Sequence, residues 1–382
     1  MKTMMVVILS LAFSVTASRG IAQVTLSGQT AVHLLRSAPT ESPRDVSYGR
    51  PTFGWRSDLF LDGAVTDNVA ALANIRVTDD GNINLGNLFD YLAIRMTNLT
   101  PLALNIQAGK FDLPFGNLGE RRFPRRNPLY GLPLIYEYNT SLPDYIAYGV
   151  MTDAGLLASR GKGTGMRLLD QGMYDVGGML YGSVDVLDYA VALTNGTISS
   201  TAYDGSGNTN NGFGTTARIA VTPITGLTLG GAYAGGEYLA QSSLPTRRPI
   251  DVDGYKQQAV EVDLEFSRGH AVVSAEGVSS TWKVPMADRD INLGVLGYYV
   301  EGKYTVLPRL YVALRANGLH FEKVELGNAV QPWDYDVTEW EGGLGYFLDK
   351  DVLLKFVRRE TRIRGGTFPK DFLTVFQLVV AY

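Results

Sequence analysis

The chain of 382 residues carries no cysteine, 43 glycines, 21 tyrosines and 19% charged residues, less charge than the roughly 25% of a soluble domain. Without cysteine there is no disulfide framework, thiolate metal site or covalent haem attachment, and 45% hydrophobic with 10% aromatic residues excludes intrinsic disorder. A formal net charge of −4 offers no global basic field for nucleic acid.

At the N-terminus Lys2 precedes a 12-residue apolar stretch from Met4 to Val15, too short to span a bilayer as a helix. Gly20, Ile21 and Ala22 place small residues three and one positions before Gln23. Residues 1–22 therefore read as a signal peptide and 23–382 as the exported chain. Loss of Lys2 and Arg19 leaves 32 basic against 38 acidic residues, a mature charge of −6.

No later run reaches the length of a membrane-spanning helix; short segments alternate instead with period two, the pattern of strands with two unlike faces. Gln23–Leu35 places Val24, Leu26, Val32 and Leu34 on one parity, and Val69–Thr78 places Val69, Ala71, Ile75 and Val77 there, with Arg76 opposite. Thr215, Ala217, Ile219 and Val221 alternate around Arg218, and Val260, Val262 and Leu264 alternate with Glu261, Asp263 and Glu265. Carboxylates facing a packed apolar core are prohibitively costly, so these are expected to face a water-filled lumen. Lys370–Tyr382 alternates as well and ends on an aromatic residue, which resembles the address that barrel-assembly machinery reads on outer-membrane barrels.

Seven short connections (near residues 66–68, 98–101, 185–187, 223–226, 268–269, 307–309 and 349–351) alternate with eight long ones. The long ones fall near 37–50, 79–87, 112–172, 197–211, 240–254, 285–290, 325–336 and 364–369. This predicts an all-β fold: a transmembrane antiparallel β-barrel of sixteen strands, with both termini on the short-turn side and outer-membrane lipid around it. A soluble sandwich does not need so regular a rhythm. The third long loop, residues 112–172, runs to 61 residues and contains Arg121, Arg122, Arg125 and Arg126 among prolines and aromatic residues. Loops of this length are usually functional, and this one is expected to fold into the lumen. Segments 144–151 and 163–169 within it alternate, so eighteen strands is the alternative.

The segment Gly109-Lys110-Phe111-Asp112-Leu113-Pro114-Phe115-Gly116 resembles the strand-ending G-(R/K/Q)-F-x-x-P-F-G segment of the phosphate-selective porin O and P family, and residues 173–182 and 188–196 look like its next hairpin. The resemblance implies a sixteen-stranded, usually trimeric outer-membrane channel with its third loop in the pore. It also implies an arginine ladder and a lysine-rich entrance. Here 24 arginines stand against 10 lysines with no lysine cluster in the loops, which departs from the phosphate-selective pattern.

Parity assigns Arg56, Arg76, Arg95, Arg218 and Arg315 to the lumenal face, with Glu261, Asp263 and Glu265 beside them. Arginine suits anion selectivity because its forked guanidinium stays charged. The competing role is to pair with lumenal carboxylates and hold the wall in shape. No catalytic, cofactor or metal motif appears: His33, His270 and His320 fall on separate strands without ligand spacing, Gly161–Gly165 lacks the P-loop spacer, and the segments 204–208 and 251–254 read as turns. The expected function is passive diffusion of small hydrophilic solutes, with anion bias as the finer expectation and a homotrimer as the assembly. A structural sheath around a periplasmic multihaem cytochrome is the alternative, and a barrel protease or lipase is disfavoured by the scattered histidines.

Overall fold

Alternating segments become strands, and in a bilayer strands are tolerated only when every backbone N–H and C=O is paired. A computed structural model describes residues 23–37, 50–79, 88–100, 103–143, 151–199, 212–239, 252–365 and 370–382; the expected signal peptide, 1–22, lies outside them. The strands are β1 (Gln23–Ser37), β2 (Thr52–Thr66), β3 (Val69–Thr78), β4 (Phe89–Met96), β5 (Asn105–Asp112) and β6 (Tyr174–Val184). They continue with β7 (Leu187–Thr194), β8 (Gly214–Ile224), β9 (Leu227–Glu237), β10 (Lys256–Arg268), β11 (Ala271–Pro285) and β12 (Asp290–Leu307). The last six are β13 (Leu310–Phe321), β14 (Lys323–Leu326), β15 (Ala329–Pro332), β16 (Val337–Asp349), β17 (Val352–Ile363) and β18 (Lys370–Ala381).

All but β14 and β15 form one closed antiparallel barrel of sixteen strands, each paired with its neighbours in chain order. Closure is made by β1 against β18, from Gln29 opposite Ala381 to Ser37 opposite Leu373. Gly28 N–H donates to Tyr382 O at 2.7 Å and Tyr382 N–H to Gly28 O at 2.9 Å, which seals the seam at its short-turn end. Asn98 and Asp185 turn the chain on that side at φ 57° and 56°, a conformation that Asn and Asp tolerate better than other side chains.

The sixteen-strand expectation holds, and the extra hairpin appears elsewhere than in the eighteen-strand alternative. It is β14–β15, set outside the wall in the loop before β16. Within the third loop, residues 144–150 lie outside the described set, and 163–169 contributes only an isolated bridge between Asn139 and Arg167.

The two faces separate as the alternation requires. Val262 is 64% exposed on the outer surface while its neighbour Glu261 is 1% exposed. Leu314 and Trp340 face outward in the same way beside buried Arg315 and Glu341. Val262 lies midway along β10, so Val262→Arg is expected to destabilise the barrel by about 2–4 kcal/mol. Glu265→Arg, on the exposed inner end of the same strand, is expected to leave folding nearly unchanged. Urea unfolding in lipid vesicles checks the pair; equal effects would reverse the face assignment.

Candidate pore constriction

After β5 the chain turns into the barrel rather than away from it. Gly109, at φ 120°, packs against the Leu92 carbonyl of β4, and Gly116, at φ 72°, lies against the Tyr136 hydroxyl and the Glu276 carboxylate. A Cβ would collide at either place, which explains why this strand exit is bounded by glycines. Between them Phe111, Leu113 and Phe115 are buried, and Leu118, Leu129, Leu132, Leu134, Ile135, Tyr136 and Leu142 continue the apolar filling.

This filling packs on the β10–β13 wall. Leu134 N–H donates to Asn317 Oδ1 at 3.2 Å, and the Tyr136 hydroxyl donates to both Glu276 oxygens at 2.8 and 2.9 Å. Burial and the facing Glu276 raise the Tyr136 hydroxyl well above the ordinary tyrosine range, so it stays a donor. The next described segment forms the short helix α1 (Asp153–Ser159), capped by Thr152 Oγ1 accepting from Gly155 N–H at 3.1 Å.

The wall carboxylates consequently do not face open water, which corrects the sequence expectation. Glu261 and Asp263 are buried, as are Glu276 and Glu301, because the loop covers them. Their charge is met by arginines. Arg218 reaches Asp263 at 2.5 Å and Glu261 at 3.2 Å, and Arg315 bridges Glu301 at 2.6 Å and Glu341 at 2.7 Å. Arg121 enters from the loop to Glu301 at 3.2 Å, Asn117 Oδ1 at 2.6 Å and the Tyr299 hydroxyl at 2.8 Å. Buried charges persist only when paired and hydrogen-bonded. This sector of the lumen is a salt-bridged core.

Opposite it, the loop leaves a cavity of about 260 Å³ against β17, β18 and β1–β4. Its wall presents His33, Arg56, Arg76, Asp90, Lys355 and Gln377, and its loop side presents Arg122, Asn127, Tyr130 and Glu137. Arg56 pairs with Asp58 at 2.8 Å and Arg76 with Asp90 at 3.1 Å. In both pairs the cation stands forward: side-chain exposure is 22% for Arg56 against 0% for Asp58, and 31% for Arg76 against 5% for Asp90.

Arg122 donates to Asp112 at 2.7 Å and to the carbonyls of Gly119 and Gly172, with its guanidinium 4.7 Å from the Tyr174 ring centroid. Burial works against its charge, but Asp112 and Tyr174 outweigh burial and hold the guanidinium firmly protonated. Lys355 is the pin between wall and loop. Its buried ammonium donates to the carbonyls of Pro124, Asn127 and Leu129 at 2.9, 3.2 and 2.8 Å.

The candidate residues thus divide. Arg56, Arg76 and Arg122 line the cavity, whereas Arg218, Arg315, Glu261, Asp263 and Arg121 are locked behind the loop. Arg95 faces inward on β4 away from the cavity, and Glu265 is exposed at the inner short-turn end. Arg125 reaches the Lys350 carbonyl at 2.7 Å in a short turn, and Arg126 pairs with Glu120 on an exposed surface. The four clustered arginines of the loop therefore do not act together. Lys355, Asp90 and Glu137 were not among the candidates. The alternation of Lys355, Val357 and Arg359 against Leu354 and Phe356 is the signal that marks Lys355 as lumenal.

No family model and no curated protein matches the chain. Solved structures do share its fold. The anion-selective porin from Comamonas acidovorans superposes with a TM-score of 0.61 at 11% identity, over 94% of this chain and 100% of that one. The outer membrane channel DcaP of Acinetobacter baumannii gives 0.59 at 12% identity, over 96% and 99%. The trimer form of OmpT, an outer membrane protein of Vibrio cholerae, gives 0.56 at 11% identity, over 95% and 100%. The chain shares the closed sixteen-strand β-barrel fold of these outer-membrane proteins.

Lys355→Met keeps the volume of the pin and removes three hydrogen bonds from a charged group, each worth about 1.5–3 kcal/mol. In planar bilayers the variant is expected to show a larger and noisier single-channel conductance as the loop loosens. A folded variant with unchanged conductance would place the anchor elsewhere.

Proposed function

We propose that the protein is a passive diffusion channel for small hydrophilic solutes, biased toward anions where the third loop narrows the lumen. The observation that carries the bias is the order of charges along the cavity wall: Arg56 and Arg76 present their guanidinium groups while Asp58 and Asp90 sit behind them. Counted as pairs these charges cancel; the third pair runs the other way, with Asp112 46% and Arg122 7% exposed, but Asp112 lies outside the cavity lining. A passing ion meets the nearer member first, and in a narrow low-dielectric passage that difference in distance weighs more than it does in bulk water. The Comamonas barrel is an anion-selective porin, which is in keeping with this function.

Phosphate specificity is not part of the proposal, because each cavity-lining arginine already has a carboxylate partner. The cytochrome sheath is not favoured either. The third loop packs into the lumen against β10–β13 and is pinned to β17 by Lys355, so it occupies space that a sheathed haem protein would need. Export with loss of residues 1–22, assembly through the strand that ends at Tyr382, and a homotrimer like the OmpT trimer form complete the proposal. No catalytic step belongs to it.

The double substitution Arg76→Gln/Asp90→Asn leaves net charge unchanged and separates proximity from total charge. Reversal potential in a salt gradient is expected to move toward cation preference, because the forward guanidinium is gone. An unchanged reversal potential would mean that total charge, or another group, sets the selectivity. Arg268→Gln, exposed at the short-turn end of β10 on the outward parity of Val262, is expected to have no effect.

A further inference from the structure

The cavity beside the third loop differs in chemistry from one end to the other. On β2 and β3 stand the two forward guanidinium groups. Arg56 commits Nε and Nη2 to Asp58 at 2.8 to 3.0 Å, and Arg76 meets Asp90 through Nη2 at 3.1 Å. A guanidinium carries five N–H donors in a planar fork, so the Nη1 edge of Arg56 is left for a further acceptor.

Across β17, β18 and β1 the same wall offers no free charge. Lys355, Gln377 and His33 stand directly opposite one another on those three strands, and the Lys355 ammonium is committed to three loop carbonyls. Gln377 is 5% exposed, and neither its Oε1 nor His33 Nδ1 has a hydrogen-bond partner among the described residues. A buried polar group without a partner is costly, and the cavity that both residues line is where a partner can reach them.

The two ends are a short molecule apart. Gln377 pairs with His33, His33 with Gly54 and Ala31 with Arg56, so Arg56 lies two strands and two residues from Gln377. Spacings of about 4.8 Å between strands and about 3.4 Å per residue put about 12 Å between their Cα atoms. Both side chains lean into the lumen, which shortens the gap, and Tyr130 and Leu132 add apolar surface from the loop.

We infer that the cavity binds a short hydroxylated carboxylate, the chemistry of a sugar acid, in extended form. Its carboxylate lies across Arg56 and Arg76, and hydroxyls at the far end meet Gln377 Oε1 and His33 Nδ1. Each arginine keeps its aspartate, so the edge that remains suits one negative charge better than a dianionic phosphate. Chloride leaves the Gln377 end unmet, a neutral polyol leaves the guanidinium edges unmet, and an unhydroxylated acid sets methylene groups against a buried amide. The inference rests on the anion-biased diffusion path through the same cavity.

The test records chloride current through the folded barrel in planar bilayers while D-gluconate, sorbitol or hexanoate is added, with the reversal potential measured in a potassium chloride gradient. Gluconate is expected to interrupt the current at a concentration at least about tenfold below that of either analogue, since each analogue lacks half of the recognised chemistry. Gln377→Leu removes the amide at similar bulk and is expected to weaken the gluconate block about threefold to tenfold. Arg268→Gln is expected to respond as the parent does. If Gln377→Leu does not fold, the comparison of the three solutes on the parent decides alone.

Equal block by gluconate and either analogue overturns the inference, as does a folded Gln377→Leu that responds to gluconate like the parent. An anion preference in the same recordings would then leave the diffusion channel standing without this solute site. Selective gluconate block without an anion preference in chloride has the opposite meaning: the site holds and the bias fails. A barrel that passes no current is titrated with the three solutes by saturation-transfer NMR, where a gluconate signal well above the other two supports the site and equal signals overturn it.

Discussion

A sheet in hydrocarbon cannot have an edge, and the pairing of β1 with β18 is where this barrel loses its last one. Once that seam is closed, the register of every strand is constrained by its neighbours, and with it the parity that separates Val262 from Glu261 or Leu314 from Arg315. The outer face is then free to be apolar. The inner face must accommodate whatever charge the alternation delivers to it.

The third loop turns that inner face into two environments. Against β10–β13 it supplies apolar residues and one arginine, and the wall supplies carboxylates already held by Arg218 and Arg315. Coverage by the loop makes those ion pairs structural, since a buried pair that loses one partner leaves an uncompensated charge. Against β17–β18 and β1–β4 the loop stands off, anchored by Lys355, and there the arginines retain contact with solvent. The same residue type serves cohesion in one sector and stays open to solvent in the other, according to whether the loop lies over it.

Much of the fold was legible because alternation and turn chemistry are local. The break at Thr66–Val69, the turn at Asp185 and the strand exit at Gly109–Gly116 all fall where the residues place them. The constriction was legible only in part. Parity put Arg56 and Arg218 on one face, but it carries no information about which stretch of wall the loop would cover, so one lines the cavity and the other is locked away. Arg121, Arg122, Arg125 and Arg126 look like one cluster in sequence, yet a compact turn points consecutive side chains in different directions. They end at Glu301, Asp112, a short-turn carbonyl and an exposed Glu120. Lys355 escaped notice because its partners are backbone carbonyls more than two hundred residues away, and no spacing rule reports those.

That separation bears on how the molecule can be built. Lys355 belongs to the next-to-last strand and holds loop carbonyls 226 to 231 residues earlier in the chain. Docking the loop therefore joins segments far apart in the chain, contacts whose loop-closure entropy makes them slow to form. Until they form, Leu134, Ile135 and Leu142, buried in the finished barrel, lack their packing partners, and the interval before the loop docks is when this chain is most exposed to aggregation.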